Sequence, residues 1–209
     1  MDPTDIHRYA GKMKEIKLRT EVIDLFLSGQ REARYVPTTV ETIGLQFRKI
    51  FELIAFASLA ANREQYSSVY SDFAKHWEAA KLVKNLQRIN PDFYPKPVVE
   101  APADKPGVVN SLKARDQDYL TPDDLIEAHG RCGILMHAEN PFGKPIDYVY
   151  YQQNFPIWRT KIINLLNNHQ VHLLGDRGFY LVHMKEAGHE EVSWYRFEPA
   201  EDHRGNVHG

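Results

Sequence analysis

Few residues in this chain have the types and spacing that chemistry needs. Arg131 and His137 stand six apart in RCGILMHAEN. A histidine titrating near neutral pH can move a proton, and an arginine beside it can hold developing charge on a phosphoryl oxygen. The plainer reading pairs Arg131 with Glu127 one turn back and leaves His137 capping its own helix. Arg48 and Glu52, one turn apart in LQFRKIFELIAF, form a second pair. Unpaired charges are costly in so apolar a stretch, so they read first as an ion pair that fixes helix register. The functional version makes them a cleft wall, with Glu52 as a base or Arg48 as a phosphate clamp. His169 and His172, with His183 further on, form a third set. No cysteine or carboxylate accompanies them at zinc spacing, so they read as packing or surface histidines, and neither metal nor cofactor is expected. The chain has no phosphate-binding glycine loop and no serine elbow.

The elements that must position these groups are mostly helices. The organising one is Thr38–Asn62, with Val40, Ile43, Phe47, Ile50, Phe51 and Ile54 on one stripe and Thr38 with Glu41 as a capping box. Before it, Asp2-Pro3 starts a helix that Gly29 stops, with Lys12, Lys14, Glu15, Lys17 and Arg19 on its outer face, a mostly basic face that reads first as solvated surface. After it, Val69, Tyr70, Phe73 and Trp77, then Leu82, Val83, Leu86 and Ile89, give two short helices or one kinked one. Thr121-Pro122-Asp123-Asp124 is the clearest helix start, and that helix should run to Asn140-Pro141, which places His137 in its last turn. Gly130 and Gly133 within it point to close approach by another helix or a ligand. The last helix begins near Pro145 to Asp147, with a kink or an Asn154-capped restart expected at Pro156.

Two stretches break the helical period. Residues 91–110 hold prolines at 91, 95, 97, 102 and 106, which points to an extended loop inside a single domain spanning 1–198. Beyond His172 the chain alternates, with turn signals at Gly175–Gly178 and near Gly188. The expected fold is therefore mainly α: a bundle of five to six helices with a small C-terminal antiparallel β-hairpin or meander. Residues 199–209 read as a disordered tail.

Composition narrows the class. A net charge of −2 gives no global basic field, so any nucleic-acid contact would rest on a local patch. The single cysteine, Cys132, excludes an internal disulfide and suits a reducing compartment. No apolar run approaches bilayer length and the N-terminus lacks a secretory core, so the expectation is a cytoplasmic protein with no membrane contact.

An arginine followed after five residues by a histidine, in an all-helical chain, resembles the HEPN family of ribonucleases and toxins. That resemblance implies His137 as acid or base on the RNA hydroxyl or leaving oxygen, Arg131 as charge stabiliser, no metal, and usually a dimer-interface site. Cys132 stands where that family usually carries a polar residue. The wider pattern of LQFRKIFELIAF, NPDFYPKPV and RCGILMHAENPF resembles an uncharacterised bacterial all-helical family. Two functions stay open. One is a non-catalytic interaction or accessory protein of a bacterial assembly, of the defence or toxin–antitoxin kind. It would bind a protein partner or a second copy, through an aromatic patch or sheet edge around Trp194 and Tyr195. The other is a HEPN-like metal-independent endoribonuclease, for which RNA is the partner.

Overall fold

Where the apolar period is helical, the chain is helical. The computed structural model describes residues 3–71, 75, 78–102, 111–172, 178–184 and 191–198. Among them are six helices: α1 (Pro3–Leu27), α2 (Val36–Ala61), α3 (Arg63–Val69), α4 (Ala79–Ile89), α5 (Pro122–Ile134) and α6 (Tyr148–Leu166). Five strands complete the fold: β1 (Lys96–Ala101), β2 (Ser111–Ala114), β3 (Asn168–His172), β4 (Phe179–His183) and β5 (Ser193–Phe197).

α2 is the hub. It packs against α1, α4, α5 and α6, and its stripe from Val40 to Ala61 is buried. Phe47 stacks on Phe51 and Phe155 and meets Trp158 edge-on, so aromatic packing couples α2 to α6. Its start differs from the expected capping box. The helix begins at Val36 with Pro37 in its first turn, and Tyr35 gives no side-chain cap. Thr38 lies inside the helix and donates to the Ala33 and Tyr35 carbonyls, while Thr39 Oγ1 accepts from Ala33 N. The threonines fasten the incoming turn rather than the helix amides, because the helix has already begun at Val36, two residues before Thr38, with Pro37 fixing φ in its first turn.

Other local signals act as written. Gly29 adopts a φ of +74° after α1, the left-handed turn that glycine takes without penalty. Thr121 and Asp124 form a reciprocal capping box at α5. Asp147 caps α6 by accepting from Tyr150 N at 3.0 Å. α4 carries the stripe expected from Leu82 to Ile89, whereas α3 precedes the one expected from Val69, with Tyr70 already past its end; Phe73 and Trp77 lie outside the described residues, as does the tail from 199.

Three expectations change. α5 ends at Ile134, not at Asn140, and its last turn is closed by Met136 N on Gly133 O. α6 runs through Pro156 without restarting, and Asn154 donates to Tyr150 O instead of capping. The sheet is larger than a hairpin or meander. Its order is β2-β1-β3-β4-β5, antiparallel throughout. β1 comes from the proline-rich segment expected to be a loop. Its prolines do not forbid this: Pro95 precedes the strand, and Pro97 sits where the β1–β3 ladder is short, opposite His169.

The sheet lies against α1 and α6. Tyr9 of α1 donates to His169 of β3 at 2.7 Å, and Trp194 of β5 sits edge-on to His7 at 5.6 Å. Trp194 is thus turned towards α1; Tyr195 beside it is the more exposed of the two, against His183 at 5.7 Å. One hydrophobic cluster joins residues on both sides of the proline-rich segment, from Ile6 to Val182. Among the described residues no helix is long and apolar enough to cross a membrane.

Candidate functional site

Arg131 lies on the outer face of α5, in the turn before the helix ends. Its guanidinium is 3.8 Å from Glu127 Oε1 and stacks over the Tyr150 ring at 5.0 Å. Its carbonyl accepts the Tyr151 hydroxyl at 2.9 Å. Arg131 therefore binds α5 to the start of α6. His137 sits past the helix end, exposed, with its amide 3.4 Å from Ile134 O. Among the described residues its imidazole makes no hydrogen bond or ion pair, and nothing links it to Arg131 within this chain.

Arg48 and Glu52 do meet, with Nε to Oε1 at 3.4 Å, and Lys49 Nζ approaches the other carboxylate oxygen at 3.1 Å. The pair faces α5. Arg48 Nη1 is 3.5 Å from His129 O, and a Cβ at Gly133 would lie 3.0 Å from it. Gly133 thus leaves room for a guanidinium, whereas a Cβ at Gly130 would meet nothing within 4 Å. Gly44 on α2 is the other close approach: a Cβ there would collide with Leu135 Cδ1.

This seam contains a residue that spacing did not single out. His129 Nε2 lies 3.5 Å from Glu52 Oε1, too long for a strong hydrogen bond, and is otherwise buried without a partner. Burial first, then the Arg48 charge, lowers the His129 pKa, with Glu52 opposing both. At neutral pH the imidazole is neutral. Cys132 beside it is a buried thiol pushed up to about 12 by desolvation, so it is inert as a nucleophile. His129 falls one turn before Gly133 on α5 and bears no mark in the spacing, because Glu52, the acid nearest it, lies on another helix.

The three C-terminal histidines do not converge. His169 and His172 both belong to β3, and an odd separation puts them on opposite faces of the sheet. His169 is fully buried, with Nδ1 2.8 Å from the Leu166 carbonyl. A carbonyl only accepts, so Nδ1 carries the proton and Nε2 takes the Tyr9 hydroxyl. Desolvation lowers its pKa to about 4. His172 lies 3.1 Å from the Gln170 side chain, and His183 lies 2.8 Å from Glu100. Among the described residues no group of three or more histidine, cysteine or acidic side chains could hold a metal ion.

Two hollows of about 640 and 420 Å³ flank the contact of α1 with α6, the larger walled also by Thr39, Val40 and Ile43 of α2. They share a wall where Arg159 clamps Asp24 through two bonds of 2.6 and 2.7 Å. Comparison with protein-family models, with curated proteins and with solved structures returned no match.

Proposed function

We propose that this protein is a non-catalytic helical interaction protein that pairs with a second copy of itself within a bacterial assembly. One observation carries the reading. Among the described residues, six of the twelve exposed large apolar side chains lie along the first half of α2, at the end of α5 and around the start of α6: Tyr35, Val36, Leu45, Ile134, Phe142 and Val149. Phe142, at the tip of the α5–α6 loop, is 96% exposed. Tyr148 at the start of α6 is partly buried, and burial first, then the nearby Glu41 and Glu139 charges, raise its phenol pKa.

At about 200 Å² for a large side chain, the exposed portions come to roughly 700 Å² of mostly apolar surface. Monomers seldom leave that much uncovered in one region. A twofold pairing would bury it from each copy, near the lower bound of roughly 1,200 Å² for specific interfaces. The same end carries both signs of charge, Glu41, Glu139 and Asp147 with Arg131 and Lys144. A mixed surface can meet its own copy across a twofold axis, where a single-sign surface would repel it.

The test is molar mass by light scattering across a concentration series. Wild type is expected as a dimer, and Phe142→Asp with Val149→Asp as a monomer with unchanged circular dichroism. A wild-type monomer at tens of micromolar would remove the reading.

The second reading, a metal-independent ribonuclease, is favoured by one feature: His137 is exposed and free of partners at this same end. Wild-type RNA cleavage in EDTA, lost in both Arg131→Ala and His137→Ala, would replace the first reading with it. No cleavage by any of the three keeps the first.

A further inference from the structure

The helix that sequence spacing marked as basic is α1, yet its cations are largely engaged. Arg8 pairs with Asp5, Arg19 with Glu15 and Gln46, and Lys14 reaches Glu191 at 3.4 Å. The same holds on α2, α3, α5 and α6, where Arg48, Lys49, Arg63, Arg131, Arg159 and Lys161 all have carboxylate partners. α4 is different. Its three cations, Lys81, Lys84 and Arg88, are exposed, and among the described residues none has an ion pair or side-chain hydrogen bond.

Their spacing of three and four residues puts them on one line along the helix, over about 10 Å at 1.5 Å per residue. The helix itself contains no acidic residue; Glu78 lies just before it, at the N-cap. The arrangement works against helix stability. Lys81 is in the first turn, where the helix dipole disfavours a cation. Lys84 has a like charge on each side, at the spacings where side chains on a helix meet. The opposite face is fully committed, with Leu82, Val83 and Leu86 buried in the core. That makes the stripe rigid, and it leaves α4 no apolar surface to insert into a membrane.

We infer that the outer face of α4 binds the phosphate backbone of a nucleic-acid strand. Three aligned, unpaired cations on a fixed helix offer contacts to about three successive phosphates. The contact is independent of base sequence and of any cleavage at His137.

The probe is a fluorescein-labelled 20-nucleotide single-stranded DNA, which lacks the 2′-hydroxyl that a metal-independent ribonuclease needs. Anisotropy titrations at 50–200 mM KCl should give a slope of log affinity against log salt near −2 for three phosphates. The variant Lys81→Gln, Lys84→Gln, Arg88→Gln should bind at least about tenfold more weakly at 50 mM, with a slope near zero. A control, Lys14→Gln, Arg19→Gln, Lys113→Gln, removes the same charge elsewhere and should keep wild-type binding. Circular dichroism confirms that both are folded. Three results would overturn the inference. They are no wild-type binding at 50 mM, equal losses in the two triple variants, or stripe-dependent binding of polyglutamate or anionic vesicles without binding of the oligonucleotide.

Discussion

His169 shows what one buried side chain contributes. It accepts from Tyr9 in α1 and donates to Leu166 at the end of α6, 160 residues from the first of these. Held near a pKa of about 4 by burial, it is neutral in the folded chain at pH values where an unfolded histidine is protonated. The unfolded state then binds the extra proton. Its contribution is fully present above about pH 6.5 and is lost as pH falls towards 4, up to about 3 kcal/mol. His129 and His172 are shifted the same way, chiefly by burial. Urea unfolding between pH 7.5 and 4.5 should therefore show stability falling with pH. His169→Leu should flatten that slope by close to one proton, whatever it does to stability at pH 7.5; an unchanged slope would show that His169 does not carry it.

At the scale of elements, the α2–α5 seam is set by glycines that differ in what faces them. Gly44 has Leu135 against it, and Leu135 is buried. Gly44→Val should cost about 1–3 kcal/mol, as overpacked cores do. Gly130 has open space, so Gly130→Ala should raise stability by about 0.5–1 kcal/mol through helix propensity alone. Chemical denaturation of both variants checks the pair; the opposite signs would show that the seam packs differently. Gly133 falls between them, because the group facing it is the mobile end of Arg48.

For the molecule as a whole, the N-terminal half of α1 is fixed by distant anchors. Asp5 is buried and accepts from Arg63 of α3 at 2.9 and 3.0 Å and from Arg8 at 2.7 Å. Tyr9 reaches the sheet four residues later. Arg63→Met strips a buried carboxylate of its longer-range partner, a loss of about 1–3 kcal/mol. Hydrogen exchange should show it first as faster exchange in residues 6–16, ahead of α2 and α5. Uniform acceleration across the chain would mean that α1 has no separate opening.

The sequence alone determined what is decided within a turn or two of chain. Thr121 and Asp147 accept from amides three residues on, and Gly29 turns its own amide back to the Phe26 carbonyl. The apolar stripes of α2 and α6 likewise follow from helical spacing. Tertiary structure decided everything that depends on a partner far along the chain. Lys96–Ala101 became a strand because Ser111–Ala114 pairs with Val98–Ala101, and β3, more than seventy residues on, joins it to the rest of the sheet at Lys96 and Pro97. His129 gained its place from Glu52 on another helix, and His169 from Tyr9. Charge shows the division most plainly. Asp5 and Glu15 stand on α1 within a turn of Arg8 and Arg19, whereas α4 has no acid of its own, and only the fold shows that among the described residues no distant acid reaches Lys81, Lys84 or Arg88, because such pairs are made by distance in space.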